Sequence, residues 1–171
     1  MKQNKGSDPS PAVAGSGNAP ANPLCALIAK QPFFKGLQKP QFQLLAALAM
    51  EREFKAGDCI FREGDPANRF YLILSGKVAL HYESREQSGL PAQTLGPGDD
   101  LGWSWLFPPY YFLATAQALE PVKTIFFYGT RLRQQCEEDH DLGYEIMKRI
   151  AQVAIQHLNT ARRNQPRPAR K

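Results

Sequence analysis

The chain has 171 residues, 43% hydrophobic and 22% charged, which suits one soluble globular domain with room for tails. No apolar run approaches the roughly 18 residues that a membrane span needs. The first residues are polar and Pro-rich rather than of signal-peptide type, so no membrane partner is expected and the expected location is cytoplasmic. The net charge of +5 lies in the C-terminal end, where Arg162, Arg163, Arg167, Arg170 and Lys171 are unopposed. Residues 24–160 hold 14 basic and 15 acidic side chains, so the folded part offers no nucleic-acid surface and the tail reads first as a solvated terminus.

Cys25, Cys59 and Cys136 are odd in number and far apart, neither a disulfide framework nor a CxxC metal pair. His81, His140 and His157 are equally scattered, with no HxH or HExxH. No metal site and no catalytic residue is expected, and the chain reads as not an enzyme; a cupin-type metal enzyme is the class this argues against.

Residues 1–23, with four prolines, three glycines and no Leu, Ile or aromatic, cannot bury enough apolar surface to offset their ordering entropy and read as a disordered tail. The domain is expected over 24–162 and a basic disordered tail over 163–171. Phe42, Leu44, Leu45 and Leu48 predict a short amphipathic helix over about 40–50, with Pro40 in its first turn. Phe54 leads into a turn at 56–58. Strands are then expected at 59–62, 70–74, 78–82, 93–95, 114–119 and 122–127, parted by Gly-rich turns at 63–68, 75–76, 87–89 and 96–100. Short strands at that spacing describe a mainly β sandwich or jelly-roll barrel. Thr130 is the expected N-cap of a helix reaching Asp139. Leu142, Ile146, Ile150 and Val153 mark a last helix to about Arg162, whose stripe either packs on the barrel or pairs with its own copy as a homodimer over 141–160.

Two segments carry a family resemblance. Phe54-Lys55-Ala56-Gly57-Asp58-Cys59-Ile60-Phe61-Arg62-Glu63-Gly64-Asp65 resembles the "aGe.If.eGd" segment of the cyclic-nucleotide-binding domain family, and Phe70-Tyr71-Leu72-Ile73-Leu74-Ser75-Gly76-Lys77-Val78 its "fyiI.sG.v" segment. The Leu95-Gly96-Pro97-Gly98-Asp99 loop is similar to the family's lead-in to the ligand cassette. The resemblance covers about 30–160 and implies a double-stranded β-helix barrel with a short N-terminal helix and two C-terminal ones. It also implies a regulatory domain with a cyclic nucleotide or other small ligand. In the family a Gly-Glu pair holds the phosphate and ribose, and a later Arg neutralises the phosphate. Here Gly102 matches the Gly, Trp103 stands at the Glu, Phe112 stands near the Arg, and no Arg or Lys lies between Arg85 and Lys123. The basic group on which usual cAMP or cGMP binding rests is therefore missing. The resemblance further implies a sensor module without the helix-turn-helix DNA-binding domain that follows the long helix in catabolite-activator-like regulators. The segment Gly102 to Tyr110 is also similar to one found in a set of bacterial proteins of this family.

The cassette is replaced by rings. Trp103, Trp105, Phe107, Tyr110, Tyr111 and Phe112 place six of the chain's 18 aromatics within ten residues. One reading has them fill the former pocket as core, leaving a scaffold for protein interaction. The other has Gly102, Trp103, Ser104, Trp105, Phe112 and Thr115 bind a small ligand, the rings as walls and Ser104 and Thr115 as polar anchors. A partner-binding patch is the third.

Overall fold

The computed structural model of the chain describes residues 22–82 and 93–163, with side chains through 156. Helix α1 (Pro23–Ala29), a 3-10 turn (Pro32–Phe34) and helix α2 (Lys39–Leu48) come first. Asn22 caps α1: its Oδ1 accepts the Leu24 N–H at 3.0 Å while its Nδ2 donates to the Ala46 carbonyl at 2.9 Å, tying α1 to α2. Asn22 and Pro23, at the end of the expected 1–23 tail, thus take part in the start of α1; the rest of that expectation lies outside the described residues. In α2 the Gln38 N–H donates to Gln41 Oε1 at 2.9 Å in a capping box, with Pro40 in the first turn. α2 stops at Leu48, two residues before its expected end. Ala49–Phe54 is already strand β1, pairing from Ala49↔Phe127 to Phe54↔Val122 with the last strand. Tertiary pairing here overrides a segment whose Glu and Arg content gives no strand signal.

The remaining strands are β2 (Cys59–Phe61), β3 (Arg69–Ser75), β4 (Val78–His81), β5 (Gln93–Leu95), β6 (Asp100–Leu101), β7 (Thr115–Ala118) and β8 (Val122–Tyr128). They form two antiparallel four-stranded sheets, β1-β8-β3-β6 and β2-β7-β4-β5, the architecture of a jelly roll. The hairpin loop expected at 87–89 lies outside the described residues.

Period-two alternation explains why β3 is apolar almost throughout. Phe70 and Leu72 face the helices, where they join Ile28, Phe34, Leu45, Leu132, Leu142, Ile146 and Ile150. Tyr71 and Ile73 face the barrel interior with Ile60, Phe61, Val78, Leu101, Phe112 and Phe126. β8 divides likewise, Ile125 and Phe127 outward to the helices and Phe126 inward. One strand pair therefore serves two cores.

The corners share a device. In each of three Gly-Asp turns the aspartate carboxylate accepts the backbone N–H three residues earlier: Asp58 from Lys55 at 2.7 Å, Asp65 from Arg62 at 3.2 Å and Asp99 from Gly96 at 2.8 Å. Gly76 turns β3 into β4 with φ +88° and comes so near the neighbouring loop that a β-carbon would lie 2.4 Å from the Pro121 carbonyl oxygen.

β8 runs straight into helix α3 (Gly129–Glu138), so Thr130 is inside the helix and not its N-cap; the cap position is Tyr128, with no side-chain cap bond. Close approach sets this junction: a β-carbon on Gly129 would meet Trp105 Cβ at 2.6 Å. Helix α4 (His140–Arg163) starts two residues before Leu142, where the Leu142 N–H donates to Asp139 Oδ1 at 2.9 Å. It includes Arg163, the first residue of the expected 163–171 tail; the rest of that expectation lies outside the described residues. The Leu142, Ile146 and Ile150 stripe is fully buried on the intramolecular side, together with Leu132 and Leu45. Arg149, also buried, donates from Nη2 to the Lys35 carbonyl at 2.7 Å and from Nη1 to the Glu145 carbonyl at 2.7 Å, and pairs with the Glu145 carboxylate. This fastens α4 to the N-terminal segment.

Candidate functional site

Gly102 leaves β6 in the left-handed region at φ +85°, where a β-carbon would lie 2.8 Å from the Arg69 carbonyl oxygen and 3.1 Å from the Phe112 ring. Only glycine suits that place. Trp103–Leu106 then forms a single 3-10 turn with Ser104 and Trp105 buried. The next residues are zipped onto the β2–β3 turn. Ala67 N–H donates to the Tyr110 carbonyl at 2.7 Å, Phe112 N–H to Asp65 at 2.9 Å, and Gly64 N–H to the Phe112 carbonyl at 2.9 Å. That pairing decides which rings go where. Tyr110 and Tyr111 stay exposed, the Arg133 guanidinium lying 4.3 Å from the Tyr110 ring centroid. Phe112 turns inward and stacks on Phe61 with centroids 3.8 Å apart and planes 9° from parallel.

The rings do not consume all the space. A cavity of about 330 Å³ opens beside the 3-10 turn. Phe61, Phe112, Leu80 and Leu95 wall it from the barrel, Gly102, Trp103 and Ser104 from the turn, and Ala154 from α4. Of the six expected site residues, Gly102, Trp103, Ser104 and Phe112 border it. Trp105 does not: its indole is fully buried in the helical core, its carbonyl accepts from Arg133 Nη1 at 2.9 Å, and its own ring N–H has no hydrogen-bond partner among the described residues. Thr115 does not border it either, because its Oγ1 accepts the Glu63 N–H at 3.0 Å and joins β7 to the turn after β2.

Of the described wall residues outside the expected six, three bear on the chemistry or on the contact with α4: Asp100, Tyr82 and Ala154. Asp100 follows the turn aspartate Asp99 and passes for part of the same loop. It sits instead on β6, paired with Leu72, and is 6% exposed. Its Oδ2 has no hydrogen-bond partner among the described residues. Burial pushes its carboxyl up to about 7; a backbone hydrogen bond opposes the rise and the neighbouring Asp99 charge adds to it. The doubled acid, where one suffices for the turn, was the available signal. Ala154 lies over 40 residues further along and carries no local signal.

None of the described wall residues is Lys or Arg. A phosphate placed here would meet apolar rings and a carboxyl, without the charge-assisted donors that hold such anions. Among the described residues there is no cluster of three His, Cys, Asp or Glu able to hold a metal, and no helix is long and apolar enough to cross a membrane. The three cysteines are free thiols, and burial raises that of Cys136 to about 11.

Comparison with known proteins gives the same fold. The family model of the cyclic nucleotide-binding domain matches residues 51–139. The CRP-like cAMP-activated global transcriptional regulator of Mycobacterium tuberculosis is 22% identical over 125 residues, 73% of this chain and 56% of that protein, so the chain spans about half its length. The crystal structure of a candidate cyclic nucleotide-binding protein from Geobacter metallireducens superposes with a TM-score of 0.69 at 29% identity, covering 82% of this chain and 98% of that one. A cyclic nucleotide-binding domain from Methylobacillus flagellatus superposes with a TM-score of 0.73 at 18% identity over 88% of each chain, a likeness of fold alone.

Proposed function

This chain belongs to the cyclic nucleotide-binding domain family, and we propose that it is a cytoplasmic, non-catalytic sensor module whose ligand is small, uncharged and largely apolar rather than a cyclic nucleotide. The observation that carries this is the cavity of about 330 Å³, walled at once by the altered cassette turn and by Ala154 of α4. Its size is at the small end of ligand pockets, and its walls are apolar with few polar groups. Glycine at 102 keeps the turn that the family uses, while Trp103 and Phe112 replace the groups a phosphate and ribose need. A ligand seated there touches the last helix directly. Occupancy is thereby coupled to the placement of α4, the element through which a ligand-induced shift would be read.

The competing reading, an interaction scaffold filled by its own aromatics, draws support from Phe107, Tyr110, Tyr111 and Leu113, which stay exposed at the surface. The unfilled space beside Gly102 weighs against the self-filled half of that reading.

The test is thermal unfolding of the full chain against cAMP, cGMP and a panel of uncharged aromatic metabolites. A ligand present at about 100 times its dissociation constant adds about 2.7 kcal/mol. Stabilisation by a member of the uncharged panel, with altered amide exchange in α4, is the expected result. Tight binding of cAMP with its phosphate ordered at Gly102 to Ser104 would overturn the proposal.

A further inference from the structure

The wall of the cavity described above holds one buried side-chain oxygen left unpaired among the described residues. Asp100 is almost wholly buried, it stands in the cavity wall, and among the described residues its Oδ2 has no hydrogen-bond partner. Buried side-chain oxygens in folded proteins are nearly always paired. Asp99, not Asp100, makes the turn bond to Gly96. Around it stand the Phe61–Phe112 stack and Trp103, faces suited to another ring. No described basic wall residue competes for the carboxyl or would welcome an anion.

We infer that Asp100 is the polar anchor of this cavity and that its ligand is a flat, uncharged, mainly apolar molecule bearing an N–H or O–H that donates to Asp100 Oδ2. The inference rests on reading the cavity as a ligand site. A charged amine is disfavoured because both ions would have to leave water for apolar walls, and in such places a buried ion pair does little better than break even. A neutral donor completes the unpaired oxygen without that cost. Ser104 and Tyr82 are the other polar side chains of the described wall.

The experiment uses a matched pair of probes on the full chain. 3-Methylindole and 1-methylindole have the same size and the same rings, but only the first has an N–H. Dissociation constants are read by calorimetry, and the location by amide chemical shifts at Asp100, Ser104 and Ala154. The wild-type chain is expected to favour 3-methylindole by about tenfold, the gain of one well-placed hydrogen bond. Asp100→Leu should bring the pair to parity, and Asp100→Asn, which keeps an acceptor oxygen, should restore the preference. Equal binding of both probes at this site by the wild type overturns the anchor and leaves the cavity as a ligand site. A preference that survives in Asp100→Leu also overturns the anchor. Failure of both probes to perturb the cavity at millimolar concentration overturns the anchor and the ligand-site reading together. Because the wild-type comparison needs no substitution, the test holds even where a variant does not fold.

Discussion

Gly102 and Arg69 are pressed together backbone to backbone, so that a β-carbon at 102 would stand 2.8 Å from the Arg69 carbonyl oxygen. The junction between β6 and the 3-10 turn is thus built on the absence of a side chain. Gly102→Ala is expected to destabilise the fold by about 1–3 kcal/mol, from left-handed strain and the contact together. Gly98→Ala, at φ +91° but with its nearest neighbour at 3.4 Å, should cost less. Urea unfolding of the two variants checks the order; equal losses would remove the role of the Arg69 contact.

Phe112 serves both as core and as cavity wall. Phe112→Ala should destabilise by about 3–5 kcal/mol, since the ring is buried and stacked on Phe61. The same change should enlarge the cavity and let it take bulkier apolar molecules. Chemical denaturation measures the first effect and a size series of aromatic probes the second. A loss below about 1 kcal/mol would mean that the stack contributes little.

Asp100 gives stability a pH dependence of defined sign. Its carboxyl titrates at about 7 in the folded chain against 3.8 when unfolded. The folded state therefore holds the proton over a range where the unfolded state has released it, and stability falls as pH rises from about 4 to about 7. The full effect is on the order of 4 kcal/mol at most. The neighbouring Asp99 charge adds to the rise, and the Tyr82 phenol stands in the same cavity wall. Asp100→Asn removes the titration while keeping the shape. Its stability relative to wild type should increase between pH 5 and pH 8, measured by thermal unfolding; a constant difference would contradict this origin.

Arg149 is the fastening of α4. Arg149→Met keeps the buried stem but leaves the Lys35 carbonyl without its 2.7 Å donor and Glu145 without a charge partner on that side. A loss of about 1–3 kcal/mol is expected, with faster amide exchange in α4 than in the barrel strands. Arg149→Lys retains the charge but not the two-pronged donor and should fall between. Uniform exchange across the whole chain would argue against a local fastening.

The barrel was legible because its corners are written in local chemistry. Gly57-Asp58, Gly64-Asp65 and Gly98-Asp99 each need a left-handed residue and a short carboxylate at fixed spacing, and those demands show in any alphabet of single residues. β1 was hidden because Glu51, Arg52 and Glu53 give no alternation; only β8 beside them makes the segment a strand. In the candidate site, Gly102 and Phe112 could be singled out from the family pattern. The directions of the rings could not. Trp105 and Phe112 are both apolar and seven residues apart, yet one enters the helical core and the other the barrel, a choice made by the backbone bonds to Asp65 and Ala67. Ala154 enters the wall through tertiary packing alone.

The fastening at Arg149 has a mechanical corollary. Ala154 lies five residues past it and Arg163 fourteen, about 7.5 Å and about 21 Å along the helix axis at 1.5 Å per residue. With Arg149 as fulcrum, a molecule that nudges Ala154 outward by about 1 Å swings the far end through nearly three times that distance. The helix would then work as a pointer whose short arm rests on the contents of the barrel and whose long arm displays them at the molecule's edge.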